Sequence, residues 1–312
     1  MLYDIRLTIE YRYAAPSDRS RTLIRLLPPD LPGAQIVRSR RLTITPPPDE
    51  RRDGVDFFGN AMTAAVWHRP IGAVSLALAL RIERLAAPED ADLSPLMADL
   101  PGALADCDDL GPASPHHFRG PSPRVPEVAA IAAFARGVVR PGMTTRQAIV
   151  ALGRALHRVM VFDSAATSVE TGPAESFTKR RGVCQDFAHV MIAGLRAVGV
   201  PAGYVSGFLR TLPPPGQPRL EGADAMHAWV RAWAGPVCGW VDFDPTNDQG
   251  AGLDYVTVAR GRDYGDVAPV LGAMRTAGGQ GSRQAVDVVP VEEVVAAEGL
   301  TPLAPGVNAP SR

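Results

Sequence analysis

Apolar residues alternate with polar ones over the first part of the chain, then recur with a helical period further on. Over residues 1–88 the runs LYDIRLTIEYRY, RTLIRLLP, IVRSRRLTITP, AMTAAVWH and VSLALALRIERL read as strands. PPDLPG, PPPDERRDG and FFGN separate them as turns. Several short strands spaced this way predict an N-terminal β-sandwich. Residues 89–125 are rich in Pro, Asp, Ala and Gly and predict a linker with one short helix. From 126 the period changes. Val128, Ile131, Phe134, Ala135 and Val138 share one helical face. A second helix, N-capped by Thr144, carries Ile149, Leu152, Leu156 and Val159. A third begins at Cys184, with Phe187, Val190, Met191, Gly194, Leu195 and Val198 inward, and stops at Gly199 before Pro201. GYVSGFLR, AMHAWVRAW and GWVDFDP then read as strands, with the loop TLPPPGQP after the first. Residues 272–284 are Gly-rich and read as loose, VDVVPV as a last strand, and 296–312 as a disordered tail. The domain reading is 1–88 β-sandwich, 89–125 linker and 126–295 second domain, an α+β chain.

Composition narrows the classes. The 312 residues suit two domains, and 46% apolar with 21% charged is a soluble-globular balance. A net charge of −1 gives no field toward nucleic acid or a membrane surface. MLYDIRLTIEYRY lacks a basic segment leading into an apolar one, so no signal peptide is expected. No apolar run reaches the ~18 residues that span a bilayer. The expected location is the cytoplasm. Three cysteines, Cys107, Cys184 and Cys238, make no disulfide framework.

The chemistry concentrates at Cys184. At a helix start, the free N–H groups and the positive end of the macrodipole favour a thiolate. A free cysteine is also an ordinary small core residue, so partners decide. Cys107, in DCDD, sits among carboxylates that disfavour its thiolate. A nucleophilic thiol needs a base, and the base needs an orienting group. His227 lies on the opposite strand face from Met226, Ala228 and Val230. A four-residue loop at 234–237 would place Asp244 directly opposite His227 and Asp242 opposite Trp229. A two-residue loop would reverse that preference. Asp before Pro also opens turns with no further role. His189 is a rival base but lies well round the helix from Cys184, and reads as packing. His68, His116, His117 and His157 show no paired partner in the sequence. Cys184, Cys238, His189 and His227 lack the ligand spacing of a zinc site.

These blocks, GVCQDFAHVMIAGLRAVGVPAGYVSGFL, MHAWV and GWVDFDPTND, resemble the bacterial branch of the transglutaminase-like superfamily. The N-terminal part, with DFFGN at 56–60, is similar to the β-sandwich that precedes this domain in bacterial members, and GRDYGDVAP at 261–269 to the segment after the aspartate. The resemblance covers about residues 1–295 and implies a papain-like core. It implies Cys184 as nucleophile, His227 as general base and acid, and Asp244 as orienter. The Cys184 N–H would be one oxyanion donor, with no second donor assigned. Gly203 and Phe208 depart from the family's Arg and Tyr and could alter the substrate groove. Gln185 and Asp186 are as readily explained by capping and solvation as by substrate contact.

Such a site performs amide chemistry through a thioacyl-enzyme. Hydrolysis of a peptide or protein is favoured, since water is always present and bacterial members look mostly like proteases. Glutamine-directed transamidation uses the same residues, and a non-enzymatic binding module is the third reading. Lys179, the sole lysine, leaves almost no acceptor for self-crosslinking. No cofactor or metal is expected, and there is no D-x-D-x-D-G calcium loop.

Overall fold

The fold is described from a computed structural model of the chain, which describes residues 1–86, 91–211, 224–275 and 279–291. The tail from 296, and the Pro/Gly loop after Thr211, lie outside the described residues.

The N-terminal region holds β1 (Leu2–Ile24), β2 (Gln35–Thr45), β3 (Glu50–Val55), β4 (Ala61–Trp67) and β5 (Ile71–Arg84). The two strands read at the start are one. β1 bends where its register shifts between Arg12 and Ser17, and Arg19 takes φ 54°. Its first half pairs with β5 from Leu2↔Glu83 to Arg12↔Ala73, and its last residues pair with β4 from Ser20↔Trp67 to Ile24↔Thr63. The long strand therefore joins β5 to β4, and the sandwich closes through it. β3 falls in PPPDERRDG, which reads as a turn; it is a wholly exposed strand without alternation.

Between the domains lie α1 (Leu100–Ala105) and a 3₁₀ turn at Pro115–Phe118. The core then runs α2 (Ala129–Val138), α3 (Thr145–Val159), β6 (Val161–Phe162), α4 (Pro173–Lys179), β7 (Arg181–Gly182) and α5 (Cys184–Ala197). Thr144 caps α3 as expected, accepting from Gln147 N at 3.2 Å, while Gln147 Oε1 accepts from Thr144 N at 3.1 Å. Val159, expected to face inward, is exposed. α5 ends as read, with Gly199 at φ +87°.

β8 (Ala202–Leu209), β9 (Ala225–Trp233), β10 (Trp240–Asp244), β11 (Gln249–Gly250) and β12 (Tyr255–Gly261) form a sheet of order β11-β10-β9-β8-β12. α5 packs on the face that carries Tyr204, Phe208, Val230 and Phe243. After α6 (Tyr264–Val267), β13 (Val270–Arg275) and β14 (Gln280–Pro290) return to β1. The stretch read as loose is therefore strand where it is described. Its glycines hide the pattern, and β13 and β14 belong to the sandwich sheets rather than the core sheet.

The sandwich covers the edge of the core sheet. Gln35 exchanges two 2.9 Å hydrogen bonds with the backbone of Thr257, and Asn60 two of 2.8 Å with the backbone of Arg260. Each side-chain amide imitates a neighbouring strand along β12, which closes an edge that would otherwise pair elsewhere. Asn60 belongs to DFFGN, so that block fastens one domain to the other. Among the described residues no helix is long and apolar enough to cross a membrane.

Candidate active site

Cys184 is the first residue of α5, and its N–H has no intrahelical acceptor. The helix start is fixed by Asp186. Its Oδ2 accepts from the N–H of Val183 at 2.8 Å and from Thr167 Oγ1 at 2.7 Å. Burial raises the Asp186 pKa against these hydrogen bonds. A Cβ on Gly182 would lie 2.5 Å from Asp186 Oδ2, so only glycine fits there. Gln185 Nε2 donates to Val169 O at 3.1 Å. Both residues after the thiol are thus engaged in holding the helix start.

The loop between β9 and β10 is longer than expected. Trp233 pairs with Trp240 and Asp242 with Arg231, so the connection is residues 234–239. Gly235 at φ +95° and Gly239 at φ +61° shape it, and Cys238 lies inside it. The register is displaced by two from the reading that put Asp244 directly opposite His227. A shift of two preserves the face; a shift of one would have reversed it. Asp244 therefore reaches His227 diagonally, and Oδ2 lies 2.7 Å from Nε2. Asp242 faces Arg231, while its Oδ2 accepts from Trp229 Nε1 at 3.1 Å.

Asp244 is fully buried and the His227 side chain is 9% exposed. Asp244 does two jobs. Oδ1 accepts from Thr246 N at 2.8 Å and Asn247 N at 3.3 Å, which opens the turn. Oδ2 serves His227, Asn247 Nδ2 and Tyr255 Oη, each at 2.7 Å. Burial pushes its pKa up, but the hydrogen bonds and the imidazole charge outweigh burial and hold it below the usual carboxylate range. Burial alone would lower His227. Hydrogen bonds to Asp244 and Cys184, with the charges of both, push it up to about 10. With Nε2 on Asp244, Nδ1 is the ring nitrogen left for the thiol.

Room around the imidazole comes from glycine and aromatic rings. Trp229 lies nearly parallel to the His227 ring at 6.4 Å between centroids. Gly207 pairs with His227, and a Cβ there would meet Trp229 Cη2 at 2.4 Å and Val256 O at 2.2 Å. Gly203 is equally confined, since a Cβ there would lie 2.6 Å from Gly261 O and 2.7 Å from a Phe118 ring carbon, and Phe208 is fully buried. Both family departures are packing positions within β8.

The other histidines have structural partners. His189 is buried, its Nε2 accepts from Tyr264 N at 3.2 Å, and burial lowers its pKa to about 4, so it is neutral. His68, read as unpaired, lies 2.8 Å from Glu50 on the exposed sandwich surface. The ring nitrogens of His116, His117 and His157 meet the carbonyls of Cys107, Leu110 and Thr246 at 2.8, 3.1 and 3.1 Å. His157 thereby ties α3 to the turn after Asp244. Neither this tie nor Tyr255 is marked by any periodicity in the sequence.

A helix-start thiol and a carboxylate-held imidazole on the facing sheet, in the chain order Cys, His, Asp, define a papain-like protein. Residues 132–245 match the model of the transglutaminase-like superfamily, and residues 3–83 that of the bacterial transglutaminase-like N-terminal region. An uncharacterized protein of Mycobacterium tuberculosis is 35% identical over 279 residues, which is 81% of this chain and 82% of the relative. A 71-residue stretch is 41% identical to a protein-glutamine gamma-glutamyltransferase of Pseudomonas aeruginosa, covering 22% of this chain and 10% of that protein. The crystal structure of a candidate cysteine protease from Cytophaga hutchinsonii superposes with a TM-score of 0.70 at 20% identity, covering 94% of this chain and 91% of that one. The chain belongs to the transglutaminase-like superfamily and carries its bacterial N-terminal region.

Proposed function

We propose that the protein is a cysteine peptidase or amidase that works through a thioacyl-enzyme on a peptide or protein substrate. The observation that carries this reading is the His227 ring, fixed by Asp244 at 2.7 Å, with Cys184 at the start of α5 among the groups that raise its pKa. Cys184 Sγ attacks the amide carbonyl carbon, and the carbonyl electron pair moves onto oxygen. The Cys184 N–H donates to that oxyanion. Collapse expels the amine, which takes its proton from the His227 imidazolium. The neutral ring then removes a proton from water, whose oxygen attacks the thioester. The thiolate leaves with the second collapse, and the ring is protonated again.

Hydrolysis is preferred over transfer for three reasons. Water needs no binding site. The single lysine, Lys179, gives no intrinsic pool of acceptors. A structural neighbour covering 94% of the chain is described as a cysteine protease candidate. The stretch similar to a glutamyltransferase supports γ-glutamyl transfer as the second reading. A binding module would have no use for an imidazole held by a buried carboxylate.

The two enzymatic readings part in one experiment. Peptides containing glutamine are incubated with the protein in ¹⁸O-water, with and without a primary alkylamine, and the products and Cys184 are followed by mass spectrometry. Expected are a transient acyl adduct on Cys184 and ¹⁸O in the released carboxylate, even with amine present. Amine-linked product as the main species would replace hydrolysis with transfer. Absence of any adduct or product would favour the binding module.

A further inference from the structure

We propose that Tyr255 is a positioning residue of this site, which acts with Asn247 through Asp244 Oδ2 to keep that carboxylate an acceptor aimed at His227. The inference rests on the triad reading above and deepens it.

Three donors converge on one oxygen. His227 Nε2, Asn247 Nδ2 and Tyr255 Oη each lie 2.7 Å from Asp244 Oδ2. The direction of the Tyr255 proton follows from its other partner. Gln249 Nε2 donates to the phenol oxygen at 2.8 Å, so the single hydroxyl proton turns toward Asp244. The fold sets this up locally. β11 pairs Gln249 directly with Asp244, and Tyr255 opens β12 just beyond. The phenol is buried, its ring edge-on to Trp229 at 5.2 Å, and Trp229 flanks the imidazole. Tyr255 thus touches the orienting carboxylate, the wall beside the base and, at 6.2 Å between ring centroids, the imidazole itself.

The chemical consequence concerns where the proton rests. A carboxylate oxygen that takes a proton loses acceptor capacity. For Asp244 to take the imidazole proton on Oδ2, it would have to release Tyr255 or Asn247 into a buried site, leaving a donor unsatisfied. The two neutral donors therefore hold the proton on His227 and the negative charge on Asp244. Tyr255 itself stays protonated, because burial and the Asp244 charge both raise its pKa. Cys184 consequently faces an imidazolium rather than a neutral ring.

The test is the pH dependence of Cys184 alkylation by iodoacetamide, read by mass spectrometry, in wild type, Tyr255→Phe, Asn247→Ala and His227→Ala. Phenylalanine removes one oxygen and keeps the ring against Trp229, so the urea midpoint should stay close to wild type. With one donor gone, Asp244 protonates more readily and its hold on the imidazolium weakens. The acid limb of the profile should move up by about one pH unit, with an approximately tenfold slower reaction on that limb. Asn247→Ala should move it the same way. If His227→Ala slows Cys184 but Tyr255→Phe and Asn247→Ala leave the limb in place, Tyr255 only packs, and the proposal fails while the triad stands. If His227→Ala itself leaves the profile unchanged, the triad reading fails and takes the proposal with it.

Discussion

Replacing Cys184 with alanine should abolish amide turnover while leaving the fold intact, a loss of about 10⁴-fold or more in kcat. The thiol is half-exposed at the helix start, and alanine is comfortable in the first helical turn, so urea unfolding should differ little from wild type. The same replacement at Cys107 or Cys238 should leave turnover nearly unchanged. Cys107 follows α1, and Cys238 lies in the loop between β9 and β10. Peptide hydrolysis assayed on all three variants checks this. Activity that survives in Cys184→Ala would place the chemistry elsewhere.

Asp244→Ala should carry the second large effect, and it falls on both activity and stability. The substitution removes the acceptor for Thr246 N, Asn247 N, Asn247 Nδ2, Tyr255 Oη and the His227 ring together. Breaking a buried charged pair on one side costs about 3–5 kcal/mol. Turnover should fall by about 10⁴-fold, because the imidazole loses both its orientation and its counter-charge.

The stability loss should depend on pH in a defined sense. The folded protein keeps the His227 proton up to about 10, whereas an unfolded imidazole releases it near 6.5. That contribution is complete below 6.5 and disappears as pH rises through 10. Asp244 is held below its ordinary 3.8, so its contribution is present above that value and is lost as pH falls through the lower, folded value. The gap between wild type and Asp244→Ala should therefore be widest from about pH 4 to pH 6.5 and close on either side. Urea midpoints measured across pH check it. A gap that widened above pH 7 would contradict the His227–Asp244 assignment.

Much of the site is legible from residue spacing, and the reason is periodicity. Phe187, Val190, Met191 and Leu195 mark the buried face of α5, which sets Cys184 at its start. His227 and Asp244 fall on one sheet face because strand parity survives a register shift of two. What stayed hidden has no periodic signature. The six-residue loop depends on two glycines with positive φ, and nothing near them in the chain fixes its length. β3 is polar up to Gly54, and β13 and the start of β14 are interrupted by glycine, so these stretches show no alternation, yet they pair along ladders set by β1 and β4; the end of β14 is the strand that VDVVPV predicts. Tyr255 reaches Asp244 from the start of the next strand, and His157 reaches the same turn from α3, far back in the chain, contacts that only the tertiary fold reveals.

The central claim is that His227 activates Cys184. The most direct measurement is the alkylation rate of each cysteine at pH 6 in wild type and in His227→Ala, resolved by mass spectrometry of freshly reduced protein. The account predicts that Cys184 reacts far faster than Cys107 and Cys238, and that this lead vanishes without His227. A Cys184 that reacts no faster than the other two in wild type, or that keeps its lead in His227→Ala, would contradict it.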